Sequence, residues 1–427
     1  MSSDDALHFD YFRVSCTEEF SRSFNPPLWK QLILRAAYTE PFMLHAVLSI
    51  GALRRSQLLP ISSASTVVML HYSKKWYEIA TGELAEMLKA QSVDWKLALL
   101  GSLVFLAVEV LRGHEHGALL HFRSGFSILK SFALEGAIIS PGTLHFSDVD
   151  EFDDAVNAFT RLSVEQYPFV GLHSSSNATP TLPSHFDTLV ETRRSLNSII
   201  SSLDTFLRQY SCPSKPTPPS HPHSALITAR QHAIQIILQE WHKRFHAFLS
   251  SSTTTQNVKD HAQVLLIQYL VASIRISTHF SVSQLIYDVY LPEFEQITVM
   301  AKAVIDVDNK SWPNSNGPCY TLNIAMAQPL YFVARYCRYS VVRKRAIGAL
   351  RKVGREGIYT GRAVARVAEW IVGTEEGDMG HGFVAEEMRL NNVVFNIRED
   401  GRTAEVCAEK RGLLGTWEEI QDEIDLC

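Results

Sequence analysis

Three places in the sequence concentrate side chains that could do chemistry, and the first is a run of histidines. His114, Glu115, His116 and His121 fall at the start of a predicted helix, and imidazoles on adjacent helical turns can share one metal ion. However, His116 and His121 are five positions apart, which turns them away from a common helix face. We therefore expect a polar helix start here rather than a metal centre.

The second place is the acidic pair Asp153-Asp154, the one internal candidate for holding magnesium against a diphosphate. Asn157 follows instead of a third carboxylate, and no comparable acidic motif occurs downstream. We expect a solvated acidic first turn of a helix. The sequence also contains neither a Gly-x-Ser-x-Gly nucleophile turn nor a P-loop. No catalytic or metal-binding residue is therefore assigned, and an all-α enzyme is kept only as a remote alternative.

The third place is a basic window, residues 335–355, which carries eight Lys and Arg residues and no acidic residue. From it we select Arg343, Lys344, Arg345, Arg351 and Lys352 as a candidate nuclear-import or partner patch. Basic residues on an amphipathic helix commonly form its solvated face. Reading of duplex DNA would also need an element that fits a groove. We expect DNA to be contacted only indirectly, and we assign no DNA-binding residue.

Composition describes an ordinary globular chain. Of 427 residues, 46% are hydrophobic and 20% are charged, which argues against a disordered or fibrous protein. The formal net charge of -5 excludes a surface that binds polyanions over its whole area. The N-terminus lacks the features of a secretory signal, and the longest apolar stretch, residues 97–108, is too short to span a membrane. The six cysteines lie far apart, which favours reduced thiols in the cytosol or nucleus.

Apolar residues recur mainly at helical spacing, which predicts an all-α fold of antiparallel helix pairs. Residues 282–307 are predicted as one long periodic segment. The exception is near the C-terminus, where alternating residues flank Asp400-Gly401 and predict one small β-hairpin. The predicted organisation is a disordered segment at 1–7, two halves of one helical domain at 8–210 and 224–392 separated by a proline-rich loop at 211–223, and a hairpin with a tail at 393–427.

The order of several short motifs resembles the regulatory domain of fungal zinc-cluster transcription factors. The blocks are HFDYF at residues 8–12, EPFMLHAVLSIGAL at 40–53, HFRSG at 121–125 and PLYFVA at 329–334. The resemblance extends over about residues 8–377 and comes from many weak blocks in the right order. It implies a large helical regulatory module.

In that family, DNA is contacted by a separate N-terminal module in which six cysteines hold two zinc ions. Here the family-like region begins at residue 8, and Cys16 alone cannot supply such a cluster. We therefore expect no cofactor; zinc would be expected only if a missing N-terminal cluster exists. The alternative is that the chain is a truncated product or gene model of a complete DNA-binding factor.

The resemblance implies a transcriptional regulator and not an enzyme. We expect it to act through other transcription-factor subunits or regulators, or through a small-molecule effector, with no membrane partner. The expected location is the nucleus, with the cytoplasm left open. A link to specialised metabolism is a further implication of the resemblance.

Overall fold

The structure is a computed structural model that describes most of the chain. Asp153, Asp154, Asn157, most of the predicted proline-rich loop and Asp400 lie outside the described residues. The described residues are 2–21, 28–60, 62–136, 155–156, 158–159, 180–210, 222–251, 256–281, 283–311, 320–321, 326–357, 359–377, 382–398, 401–412 and 416–426. The predicted all-α class is confirmed, since most of the described residues are helical and the longer strands are confined to the C-terminal end.

The N-terminal part is built from consecutive helices joined by short connections. Pro41 begins the fourth of them, where the missing N–H of proline costs no hydrogen bond. The α-helices are α1 (Ser3–Tyr11), α2 (Thr17–Phe20), α3 (Leu34–Thr39), α4 (Pro41–Ser56), α5 (Ala64–Lys89), α6 (Trp95–Arg112) and α7 (Glu115–Gly136), with π-helical turns at Phe12–Cys16 and Leu28–Ile33.

Helix α1 begins inside the segment that the sequence analysis expected to be disordered. The Ser2 hydroxyl accepts a hydrogen bond from the Asp5 N–H at 3.1 Å, and the Asp5 carboxylate accepts one from the Ser2 N–H at 2.6 Å. This reciprocal capping box satisfies two N–H groups that would otherwise have no partner in the helix. The Tyr72 hydroxyl of α5 also donates to Asp5. Local capping and a contact with a distant helix together order this end of the chain.

Helix α6 is the central helix of the N-terminal part, as its apolar sequence predicts. Every residue from Ala98 to Leu111 is buried. Gly113 ends the helix with φ 79°, a left-handed conformation that glycine adopts at little cost. Among the described helices, neither this one nor any other is long and apolar enough to cross a membrane.

The second half continues with helices, but the segment predicted as continuous at 282–307 is divided. Its first part is the 3₁₀ helix Gln284–Tyr290, and Pro292 then lies in the first turn of a new α-helix. The elements are α8 (Leu189–Gln209), α9 (Pro222–Ser251), α10 (Gln256–Thr278), α11 (Leu291–Ser311), α12 (Ala327–Tyr336), α13 (Ser340–Leu350), α14 (Gly361–Glu376) and a short 3₁₀ helix, Glu386–Met388.

Two small sheets complete the described structure. The short strands β1 (Tyr320–Thr321), β2 (Arg355–Glu356) and β3 (Tyr359–Thr360) form one, in that order. The predicted C-terminal hairpin is present as β4 (Asn391–Ile397) and β5 (Thr403–Arg411), with Gly401 at φ 65° in its turn. Strand β6 (Trp417–Asp425) adds a third antiparallel strand that the sequence analysis missed. The five acidic side chains and mostly exposed positions of β6 give it little hydrophobic alternation.

Two buried clusters of apolar side chains lie on opposite faces of α10. Val264, Val271 and Ile274 belong to the larger cluster, which includes α1, α3, α4, α6 and α11 to α14. Leu265 and Ile276 belong to the smaller cluster, formed with α8 and α9 around Trp241. Because apolar side chains of both clusters come from this one helix, a displacement of α10 would disturb the packing on both sides.

Helix α1 approaches the backbone of α4 closely at Gly51. A Cβ atom at this position would collide with the carbonyl oxygen of His8. Gly348 in α13 offers the opposite case, because a Cβ there would meet nothing within 4 Å. Replacing Gly348 by alanine is therefore a control for replacing Gly51 by alanine, because both glycines are helical but only Gly51 is in a close contact.

We predict that Gly51→Ala lowers the free energy of unfolding by about 1–3 kcal/mol, since α1 must move away from α4. Gly348→Ala should instead raise it by about 0.5–1 kcal/mol, because alanine is the better helix former. Urea denaturation followed by circular dichroism measures both. Unchanged or increased stability of Gly51→Ala would contradict the close packing of α1 on α4.

Candidate functional site

A cavity of about 470 Å³ lies at one end of α10. Its walls come from that helix end, the 3₁₀ helix Gln284–Tyr290, α12 and the start of β4, with Leu207 of α8 beside them. The cavity thus lies next to the helix that both apolar clusters share. Its volume falls within the roughly 300–1,000 Å³ typical of small-molecule sites.

One wall of the cavity is aromatic. The rings of Tyr287 and Tyr336 stack with centroids 4.8 Å apart and planes inclined by 30°, and Phe332 lies 4.8 Å from Tyr336. Burial raises the pKa of Tyr287 and of Tyr331, another residue of the wall. Both phenols therefore keep their protons at neutral pH and present a neutral surface.

Arg275 of α10 and His279, the residue that follows this helix, form another part of the cavity wall. Arg275 donates to the fully buried Asp204 at 2.6 Å. Burial raises the pKa of Asp204, and Arg275 opposes that effect. The Nε2 of His279 donates to the carbonyl oxygen of Tyr210 at 2.8 Å. Because burial lowers the pKa of His279, this imidazole is neutral at physiological pH.

Behind the cavity, one buried carboxylate holds three arginines. Glu375 accepts hydrogen bonds from Arg335 at 3.3 Å, Arg343 at 2.5 Å and Arg389 at 2.7 Å, and from the N–H of Leu390 at 2.9 Å. Its side chain and that of Arg343 are 0% exposed. Arg335 is also part of the cavity wall. The ion network and the cavity thus share a side chain.

Additional contacts join this network to its surroundings. Glu376 accepts from the Ser340 hydroxyl at 2.9 Å and pairs with Lys344 at 3.0 Å. Gln284 connects the network to the cavity, because it accepts from Arg389 at 3.0 Å and donates to Asn391 at 2.7 Å. Burial lowers the pKa of Arg389 to about 9, with neighbouring arginines adding to the effect and Glu375 opposing it. The guanidinium remains charged at neutral pH.

We predict that Glu375→Gln lowers the free energy of unfolding by about 3–5 kcal/mol, because three buried guanidinium groups lose their common counter-charge. Glu369→Gln is the control, since Glu369 pairs at 2.8 Å with Arg351, whose side chain is 60% exposed. That change should cost less than about 1 kcal/mol. Urea denaturation gives both values. Equal losses in the two variants would show that Glu375 is not central to the fold.

The structure divides the basic patch selected from the sequence. Arg343 is buried and belongs to the Glu375 network. Lys344, Arg345, Arg351 and Lys352 are exposed on and just after α13. The surface part of the candidate patch therefore consists of these four residues, and a role for them in import or partner binding stays a prediction.

The histidine run lies at the α6–α7 junction. His114 and His116 are exposed, whereas the Nε2 of His121 lies 2.8 Å from the Tyr77 hydroxyl. Within the described part of the chain, no group of three His, Cys, Asp or Glu side chains is arranged to hold a metal ion. The Glu109 carboxylate lies 3.0 Å from His114 Nδ1. The residues act here as polar contacts around a helix junction.

Glu115 in this run is unusual because its carboxylate is only partly paired. Arg355 lies 3.9 Å from one oxygen, and the other oxygen is buried without a hydrogen-bond partner. Burial raises the pKa of Glu115 from 4.5 to about 7, and Arg355 opposes the shift. The folded protein therefore binds this proton more tightly than the unfolded chain does.

This pKa shift predicts that the contribution of Glu115 to the free energy of unfolding decreases between about pH 4.5 and pH 7, because over this range the carboxyl ionises in the unfolded chain but keeps its proton in the folded protein. Glu115→Gln removes the ionisation. At pH 8 it should be more stable than the wild type by up to about 3 kcal/mol, with a smaller difference at pH 5. The exposed Glu78→Gln serves as control. Thermal unfolding over this pH range tests the prediction, and a Glu115→Gln variant less stable than the wild type at pH 8 would contradict it.

Sequence reasoning did not identify the cavity. Its charged and aromatic lining residues include Arg275, Tyr287, Arg335 and Tyr336, which are separated by up to 61 positions along the chain and belong to no recognisable motif. The basic window did contain Arg335, but only as one member of a presumed surface. Searches against protein-family models, curated proteins and solved structures find no match to this chain.

Proposed function

We propose that the protein is a transcriptional regulator of the fungal zinc-cluster type that acts through protein and effector contacts. The ordered sequence blocks support the family, and the helical architecture agrees with a regulatory module of that kind. The observation that carries the proposal is the cavity of about 470 Å³ beside α10. A ligand bound beside α10 could affect the packing of both apolar clusters, because both receive side chains from this helix. Such a site suits a protein whose regulatory activity depends on an effector.

The mechanism we propose is a shift between conformations. An effector that binds one arrangement of α10, α12 and β4 more tightly than another stabilises that arrangement in proportion to the difference in affinity. Partner surfaces formed by those elements would then change with it. In this proposal DNA is contacted by an associated subunit, and the chain itself needs no cofactor. Zinc would be bound only by a separate six-cysteine module, if the protein has one.

The proposed location is the nucleus. Lys344, Arg345, Arg351 and Lys352 supply an exposed group of positive charges for import or for a partner. Arg351 is paired with Glu369, but its side chain is 60% exposed. A receptor could compete for such a pair, because exposed ion pairs contribute little free energy.

An all-α enzyme is the second candidate, favoured by the convergence of His279, Tyr287 and two arginines on one cavity. Nevertheless, the described lining contains no carboxylate, and the Nε2 of His279 is already bonded to a carbonyl oxygen. An acid–base pair of the usual kind is therefore not assembled from these residues. The regulatory function remains the better supported proposal.

The regulatory proposal predicts that the whole chain changes transcription when it is recruited to a promoter. We would fuse it to an unrelated DNA-binding domain and measure a reporter with moderate basal expression in a fungal host, so that activation and repression are both visible. The unfused DNA-binding domain is the control. A several-fold change in either direction supports the proposal. An unchanged reporter, with the folded fusion present in the nucleus, would overturn it.

A further inference from the structure

The charges around the cavity favour an anion. Among the described residues that line it, Arg275 and Arg335 are the charged side chains. Asp204 neutralises Arg275 at 2.6 Å. Arg335, in contrast, must share Glu375 with both Arg343 and Arg389.

This sharing leaves positive charge in excess on the network side of the cavity. Glu376 provides a second carboxylate, 3.7 Å from Arg343, but it also pairs with Lys344. Four cationic side chains therefore face two carboxylates within this group, and the Glu386 carboxylate, which accepts from the N–H of Gln284 at 2.7 Å, brings the nearby carboxylates to three. In a partly desolvated site, an anion would be attracted to Arg335 and a cation repelled from it.

The aromatic wall favours a flat ligand. Tyr287, Phe332 and Tyr336 present successive rings 4.8 Å apart, against which a planar ring system can stack or pack edge to face. Gln328 and Asn391 add amide groups that can donate to ligand oxygens. The raised pKa of Tyr287 keeps its phenol neutral, so it would not repel a negative charge.

We propose that this cavity binds a planar aromatic monoanion, such as a deprotonated aromatic acid, with its acid group toward Arg335 and its rings against the tyrosine wall. This inference rests on the proposed effector-dependent function and specifies the chemistry of the effector. The volume of about 470 Å³ accommodates one small molecule of this class.

The test uses two fluorescent probes with the same rings. Anilinonaphthalene sulfonate carries one negative charge, and N-phenylnaphthylamine lacks the sulfonate. With the purified full chain, the sulfonate should bind saturably and at least about fivefold more tightly than the neutral probe, because of the attraction to Arg335. Equal affinities, or binding that does not saturate, would overturn the proposal.

Two variants of Gln328 test the charge preference without filling the cavity. Gln328→Glu should weaken sulfonate binding by at least about fivefold, and Gln328→Lys should strengthen it, while the neutral probe changes less than about twofold in both. If neither variant changes sulfonate binding, the probe does not occupy this cavity and the proposal fails. These variants decide the question even if a bulkier substitution disturbs folding.

A second pair of variants tests the position by volume. Val393 lines the cavity, whereas the neighbouring Val394 is 51% exposed on the other face of β4. Val393→Trp should weaken both probes by about tenfold or more through steric exclusion. Val394→Trp should match the wild type. Full sulfonate affinity in a folded Val393→Trp variant would overturn the assignment.

Failure of this inference can be told apart from failure of the proposed function. The recruitment experiment reads transcription without added ligand, and the probe experiment reads binding without DNA. An active reporter together with equal probe affinities would reject the anion site alone. An inactive reporter together with selective sulfonate binding would reject the regulatory function and leave the anion site in place.

Discussion

The buried carboxylate of Glu375 is the interaction on which the C-terminal half of the molecule depends. It binds one arginine from α12, one from α13 and one from the segment before β4. A buried charge is tolerated only when it is paired and hydrogen-bonded, so these three segments must keep a single mutual arrangement. Arg335 extends that constraint into the wall of the cavity. This side of the cavity is therefore supported by a buried polar network that joins three segments of the chain.

Helix α10 provides the second constraint, because it supplies side chains to both apolar clusters. Arg275 near its end and His279 just after it belong to the cavity wall. A ligand in the cavity would contact both clusters at once, because Leu207 belongs to the smaller cluster and Phe332 to the larger one. That position would connect the proposed effector site to the packing on both sides of α10, as the proposed regulatory function requires.

Particular elements show how far sequence reasoning reaches. The helical class, the proline start of α4, the glycine end of α6 and the C-terminal hairpin follow from local signals that the structure confirms. Strand β6 was missed because its acidic residues show little alternation. The division at Pro292 was missed because its apolar pattern continues through the break. The candidate cavity was not foreseen, since its walls come from residues between Leu207 and Val393.

The sequence alone determined the helical class and several helix ends, such as those at Pro41 and Gly113, because periodicity, caps and special backbone conformations involve residues only a few positions apart. The tertiary structure decided which charged side chains leave water. Arg343 and Lys344 are adjacent and chemically similar, yet the first is fully buried on Glu375 and the second is half exposed. The difference arises because desolvation and pairing depend on the groups that remote segments bring alongside, and neighbouring positions on one helix face different surroundings.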